Sequence, residues 1–281
     1  MDIDVLGTLA VREHGVSVTP SAPKPRQVLA LLALNVNQVV PVSVLTEELW
    51  GVQPPRSARP TLQTYVLQLR ELIGAALERS GGTEQRCAKD VLMTVPGGYL
   101  LRSEEGTSDV KEFERLAGAG YRAMDAEDYP EAARRLREAL ALWSGSALAD
   151  IQAGVHLEPQ IKRLEESRLC ALDQRIEADL RLGRHRGLLA ELTVLISRYP
   201  THENLCGQYM LALHRSGRRG EALSAYQRLR TTLVRTLGLE PSAPLVKLQR
   251  AILVSGPDTA AAPLTLAERA QTSAAGLTRA G

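Results

Sequence analysis

Every strand signal in this 281-residue chain falls within its first 103 residues, and residues 109 to about 254 carry helical spacing. In the run from 3 to 12, Ile3, Val5, Leu9 and Val11 lie on one side and Asp2, Asp4, Thr8 and Arg12 on the other. That alternation predicts a half-buried strand. Gly15 turns the chain into a second short strand, Val16-Ser17-Val18, and Pro20, Pro23 and Pro25 break it. Helical spacing begins at Arg26 and closes near Asn35 and Asn37; a second helix follows Pro41 and stops at Gly51. A third runs from about Thr61 to Leu77, and a polar segment with Gly81-Gly82 follows it. Val91 to Val95 and Tyr99 to Leu101, joined by Pro96-Gly97-Gly98, read as a hairpin. The order is ββ-ααα-ββ.

The later residues read as a separate all-α domain. We expect a domain over 1–103, a linker from Ser103 to Ser108, helices throughout 109–254, and a disordered tail over 255–281. The helical part repeats itself. Arg181-Leu182-Gly183-Arg184-His185 returns 34 residues later as Arg215-Ser216-Gly217-Arg218-Arg219, and Leu189 and Leu192 return as Leu223 and Tyr226. That period is the tetratricopeptide (TPR) spacing, in which helix pairs bury their apolar faces only by stacking. Asp125 to Ala132, followed by Leu136, Ala139 and Leu140, has the look of a further unit.

Composition narrows the function classes. The formal charge is +2, which excludes a polybasic, histone-like binder and an acidic tail. Aromatics are 4%, with Phe113 the lone phenylalanine, and a Leu/Ala-rich chain of this kind favours helices. Apolar runs fall far short of the roughly 18 residues of a membrane span. The N-terminus carries Asp2 and Asp4 where a signal peptide carries basic residues, so a soluble cytoplasmic protein is expected, with no membrane partner. Cys87, Cys170 and Cys206 form no CxxC pair and read as buried apolar residues. No GxSxG, P-loop, GxGxxG or HExxH motif occurs. His14, His156, His185, His202 and His214 lack metal-ligand spacing, and His185 reads as a solvated helix start. Glu47-Glu48 and Glu165-Glu166 read as solvated helix faces. Nothing points to an enzyme, a metal or a cofactor: cofactors, none.

Three helices followed by a hairpin do carry a mechanism. They make a winged helix-turn-helix, whose third helix enters the major groove of DNA. Leu62, Val66, Leu69 and Ile73 set its buried stripe; Thr64, Leu67, Gln68 and Glu71 point the opposite way. Gln68 can pair with adenine N6/N7, Thr64 can bond a base edge, and Leu67 can meet a thymine methyl. Thr61 and Arg59 stand at the helix N-terminus, suited to a phosphate; Tyr65 and Arg70 flank the face. The DNA-binding set is therefore Arg59, Thr61, Thr64, Tyr65, Gln68 and Arg70. An amphipathic helix that merely packs is the alternative, and the hairpin behind it argues for the reading helix.

These residues resemble a known family. Thr61-Leu62-Gln63-Thr64-Tyr65-Val66-Leu67-Gln68-Leu69-Arg70 looks like the recognition helix of the Streptomyces antibiotic regulatory proteins, the SARP or AfsR/DnrI/RedD activators. Lys24 to Ala33 is similar to their first winged-helix helix, and Val95 to Leu101 to their wing. Ala141 to Asp150, Glu177 to His185, Glu221 to Tyr226 and Leu237-Gly238-Leu239-Glu240-Pro241 resemble the bacterial transcriptional activation domain. The resemblance covers residues 1–254.

It implies an OmpR-like winged helix (α+β) followed by an all-α tetratricopeptide-like activation domain. It implies a transcriptional activator of an antibiotic gene cluster, binding direct repeats in promoter DNA near the −35 element. The partners it implies are RNA polymerase, through its sigma and alpha subunits, and another protomer side by side on the DNA. On the OmpR pattern the contacts fall at Thr64, Tyr65, Gln68 and Arg70. Neutral Gln68 stands where those helices commonly carry Arg, which suggests a changed base preference. Trp50 to Arg59, exposed and Pro-rich beside the DNA, is the expected polymerase contact. The alternative function is a protein-interaction scaffold that uses both modules to bind proteins. Residues 1–105 hold 10 basic and 11 acidic residues, or −1, so affinity must come from a few placed groups such as Arg56, Arg59 and Arg70.

Overall fold

The computed structural model describes residues 1–79, 86–104 and 106–254. The segment around Gly81-Gly82 and the tail from 255, expected as a polar loop and a disordered end, lie outside the described residues. The chain divides into two compact units. One is Met1–Arg122 with Arg134–Leu172; the other is Ala123–Ala133 with the residues from Asp173 on.

In the first unit β1 (Asp2–Asp4), β2 (Ala10–Glu13) and β3 (Val16–Ser17) form an antiparallel sheet in that order. Then come α1 (Pro23–Leu34), β4 (Val39–Pro41), α2 (Val42–Trp50), α3 (Ala58–Arg79), the short α4 (Ala88–Val91), β5 (Leu92–Val95) and β6 (Gly98–Leu101). A second antiparallel sheet has the order β4-β6-β5, with Val40 and Thr94 both opposite Tyr99. Gly98 permits that pairing, since a Cβ there would stand 2.3 Å from the Val40 carbonyl oxygen. Leu29 and Leu32 of α1, Leu45 of α2, Leu62, Leu69 and Ile73 of α3, and Leu92 and Leu101 of the hairpin are fully buried. Each stabilises the fold by about 1.5–3 kcal/mol through burial. The three expected helices and the hairpin follow in the expected order, with β4 and the short α4 added.

The run from 3 to 12 is not one strand. It is β1 and β2, paired with each other, Ile3 opposite Val11. Between them the backbone finds other partners. The Val5 and Leu6 amides donate to Asp109 Oδ2 at 2.6 and 2.7 Å, and the Leu9 amide donates to Asp150 Oδ1 at 2.8 Å. The carbonyls of Leu6, Val5 and Gly7 accept from the amides of Ser144, Leu148 and Ala149. Two arms of a hairpin carry the same alternation as one strand.

The helix starts also move. Pro23 and Pro25 stand in the first turn of α1 rather than breaking the chain, and Pro60 stands in the first turn of α3. A ring that fixes φ near the helical value suits that position. The expected linker is fastened to β1. The Ile3 amide donates to the Thr107 carbonyl at 2.9 Å, and Asp2 accepts from both the amide and the hydroxyl of Thr107. Those two bonds hold the Asp2 carboxyl below its ordinary pKa.

The helical part comprises α5 (Asp109–Asp125), α6 (Tyr129–Ala141), α7 (Leu157–Arg181), α8 (His185–Arg198), α9 (Glu203–Arg215), α10 (Arg219–Leu237) and α11 (Ala243–Val254). It is not helical throughout, because residues 142–156 are irregular. Their apolar side chains are buried without a helix: Trp143 meets Phe113 edge-on at 5.5 Å with the Arg168 guanidinium 4.7 Å from its ring centre, and Leu148 is fully buried.

Glu48 is not solvated. It is 4% exposed and accepts from the amides of Gly154, His156 and Leu157 and from Gln27 Nε2. Cys206 is buried, and burial pushes its thiol up to about 12. Cys87 and Cys170 are exposed, contrary to expectation.

In the second unit the 34-residue repeat is a repeat of geometry. The Gly183 amide donates to Leu180 and the Arg184 amide to Asp179; 34 residues on, Gly217 donates to His214 and Arg218 to Leu213. Both glycines are left-handed, at φ +74° and +80°. This is the Schellman ending of a helix. The turn after α5 has the same bonds, Glu127 to Met124 and Asp128 to Ala123, with Glu127 at φ +57° in the glycine's place. Ala132, Ala133 and Ala178 form a close-packed cluster, as their small size allows. His185 is half-buried and its Nδ1 is buried without a partner, so it is not the solvated start expected. Among the described residues no helix is long and apolar enough to cross a membrane.

Candidate nucleic-acid interface

Helix α3 has 22 residues and two faces. Ala58, Leu62, Val66, Leu69, Ile73 and Ala76 are buried at the spacing of one helical side. Gln63, Thr64, Leu67, Gln68 and Glu71 are exposed on the other. Leu67 is 56% exposed, an apolar side chain on a face that no described element covers. Thr64 and Gln68 are four residues apart, so they sit one above the other on that face.

The N-terminus of α3 lies three residues before Thr61, which alters the phosphate argument. The Ala58 amide donates to Pro55, the Thr61 amide donates to Ser57, and Pro60 has no amide hydrogen. Arg59 alone in that turn has an amide left to offer an anion. Its side chain is exposed, as is that of Arg56, and neither pairs with a carboxylate among the described residues. Thr61 and Tyr65 are half-buried on the edge of the face. The Thr64 hydroxyl donates to the Pro60 carbonyl at 3.1 Å, leaving its oxygen free to accept.

Arg70 points elsewhere. Its Nε and Nη2 donate to the Leu92 carbonyl at 3.0 and 2.7 Å, and Nη2 also donates to Thr94 Oγ1 at 2.8 Å. Of the six expected site residues, Arg59, Thr61, Thr64, Tyr65 and Gln68 thus share one end and face of α3. Arg70 faces β5. The sequence signal for this was available only in part: Arg70 flanks the face on the wheel, and nothing local says which neighbour it meets.

Two loops border the helix. The hairpin turn after β5 passes through Gly97 at φ +82°. Residues 51–57, before α3, begin at Gly51 with φ +64°; Val52 is 88% exposed and Gln53 to Ser57 are exposed throughout. The loop is anchored at its start, where Lys24 Nζ lies 4.9 Å from the Trp50 ring centre and donates to the Leu49 carbonyl at 2.7 Å.

Among the described residues no cluster of three His, Cys, Asp or Glu side chains could hold a metal. The residues that sequence reasoning missed are the carboxylates that brace the winged helix. These are Glu48, Asp109 and Asp150, the last also 3.1 Å from Arg26 Nε. Asp109 is partly buried, and burial raises its pKa against the pull of the Leu6 and Val5 amides.

The family described as "Bacterial transcriptional activator domain" matches residues 108–253, and "Transcriptional regulatory protein, C terminal" matches residues 17–84. The regulatory protein DnrI of Streptomyces peucetius is 54% identical over 257 residues, 92% of this chain and 93% of DnrI. The regulatory protein AfsR of Streptomyces coelicolor is 35% identical over 95% of this chain, which spans 25% of AfsR. Among solved structures, Mycobacterium tuberculosis EmbR, in complex with a low affinity phosphopeptide, superposes with a TM-score of 0.79 at 35% identity. That match covers 90% of this chain and 64% of the EmbR chain.

Proposed function

The chain belongs to the SARP family of DnrI-like transcriptional activators of antibiotic biosynthesis genes, which bind DNA through an OmpR-type winged helix and are not enzymes; from that premise we propose how it reads its promoter. Helix α3 lies in the major groove with Thr64 and Gln68 against base edges and Leu67 against a thymine methyl. Arg59 holds a phosphate at the start of the helix, Thr61 adds its hydroxyl one turn on because its amide is engaged by Ser57, and Tyr65 offers its hydroxyl to the flanking backbone. The observation that carries this reading is the outer face of α3: polar, uncovered, and interrupted by the exposed Leu67.

We further propose that protomers bind side by side on direct repeats near the −35 element. With a charge of −1 over residues 1–105 and few free arginines, one winged helix binds weakly. Two linked by neighbouring repeats gain affinity by effective concentration. The segment from Trp50 to Arg59, through its exposed loop 51–57, then meets RNA polymerase, whose sigma and alpha subunits are the proposed partners.

Mobility shifts with the full chain test the reading. On the duplex that the chain enriches from a randomised library, Gln68→Ala is expected to cost roughly 1–3 kcal/mol and relax the preference at one base position. Arg59→Ala should weaken all sequences alike. Unchanged affinity and unchanged base preference in Gln68→Ala would place the reading face elsewhere.

A further inference from the structure

Resting on the DNA reading above, we infer that Arg70 does not contact DNA: it is a positioning residue that fixes the wing against the reading helix. All hydrogens on Nε and Nη2 are engaged, by the Leu92 carbonyl and by Thr94 Oγ1, so only Nη1 is left. Leu92 and Thr94 are two apart on β5, so the planar fork lies along one side of that strand. β5 is an outer strand of its sheet and runs directly into the turn at Pro96-Gly97. Arg70 therefore covers an open strand edge and sets the distance between α3 and the wing tip. Both ends of the contact are firm. Leu69 beside Arg70 is fully buried in the core, and Leu92 is fully buried where β5 begins.

The physical consequence is preorganisation. A winged helix gains affinity when helix and wing reach the duplex together, and a wing that moves independently must be ordered on binding. Lysine cannot replace this arginine. Its ammonium carries the same charge but has no rigid planar fork to span a carbonyl and a hydroxyl at once. A phosphate contact, by contrast, tolerates lysine as a point charge.

The test uses the full chain and the duplex it enriches from a randomised library. Arg70→Lys should bind about tenfold more weakly, which is about 1.4 kcal/mol. The slope of affinity against salt should not change. Thr94→Val, which removes one acceptor and leaves the charge in place, should weaken binding by about threefold. The double variant should be no weaker than Arg70→Lys, because both act on one contact. Amide exchange over residues 92–98 of the free protein should quicken in both single variants. Wild-type affinity in Arg70→Lys overturns the inference. So does a salt slope reduced by about one phosphate contact in Arg70→Gln, which would make Arg70 a backbone contact. If the chain enriches no duplex, the DNA reading itself fails; unchanged exchange at the wing would then still refute the strap.

Discussion

Glu48 and Gly154 meet so closely that neither side has room for another atom. The Gly154 amide donates to Glu48 Oε1 at 2.6 Å, and a Cβ on Gly154 would stand 2.3 Å from the Glu48 carbonyl oxygen and 2.9 Å from its carboxyl carbon. With the amides of His156 and Leu157 on Oε2, helix α2 of the winged helix is bonded to the irregular segment before α7. Glu48→Ala leaves those buried donors unpaired. It should lower stability by about 3 kcal/mol or more. Glu48→Gln should fall between, because its amide group turns a donor toward two donors. Gly154→Ala should destabilise as well, through contact with backbone that cannot give. Thermal unfolding followed by circular dichroism is the measurement, and a Glu48→Gln protein as stable as wild type would show the latch to be idle.

Two other glycines give opposite expectations. A Cβ on Gly120 would stand 2.5 Å from Leu136 Cγ, where α5 and α6 approach closely. Gly120→Ala should therefore cost about 1–3 kcal/mol by overpacking. Gly187 is exposed within α8, and a Cβ there meets nothing within 4 Å. Gly187→Ala should raise stability by about 0.5–1 kcal/mol through helix propensity alone. The pair is compared in urea unfolding, and a shared sign would mean that the helix contacts are misjudged.

What could be read from the chain follows from the range of each interaction. The stripe of Leu62, Val66, Leu69 and Ile73 was legible because burial along a helix repeats every three or four residues. The turns at Gly183 and Gly217 were legible because the same local bonds recur 34 residues apart. Glu48 was not, because its three amide partners lie over a hundred residues away in the chain, and a Glu-Glu pair on a helix looks the same whether solvated or enclosed. Residues 142–156 carry helix-like spacing, yet Trp143 and Leu148 find their burial against Phe113 and the segment after β1. On the reading helix, which positions are exposed was legible. The partner of Arg70 was not, since no local pattern distinguishes an arginine beside a strand edge from one beside a phosphate.

His214 makes the second unit acid-sensitive. The residue is 7% exposed, with neither ring nitrogen partnered; burial, then Arg219 and Arg215, hold its pKa below the ordinary histidine value. His185 is lowered too, by burial, then Arg215 and Arg186. The unfolded chain thus takes up protons that the folded chain refuses. The stability contributed by the neutral rings is fully present above about pH 6.5 and is lost as pH falls through the depressed folded values. Leu180 holds the position 34 residues earlier, so His214→Leu should be accommodated and should flatten the dependence. Melting temperature between about pH 5 and pH 8 decides it. Parallel profiles for the variant and the wild type would remove His214 as the cause.

The turn after α5 is the weakest copy of its motif. Gly183 and Gly217 adopt left-handed backbone without cost, whereas Glu127 holds φ +57° in the corresponding place. A side chain in that region costs roughly 1–2 kcal/mol, and glycine recovers this less about 0.5–1 kcal/mol of added freedom in the unfolded chain. Glu127→Gly should therefore stabilise by about 0.5–1 kcal/mol. Gly217→Ala imposes the strain where it was absent and should destabilise by about 1 kcal/mol. The amide of Glu127 donates to Met124 and that of Asp128 to Ala123, so the glycine variant keeps every backbone bond of the turn. Any gain then comes from relief of strain alone. Should Glu127→Gly melt below the wild type, the Glu127 side chain contributes more than its backbone strain costs. Its charge acts on Arg181, whose guanidinium lies 5.7 Å from the Tyr129 ring centre, and Glu127→Gln would then show the same loss.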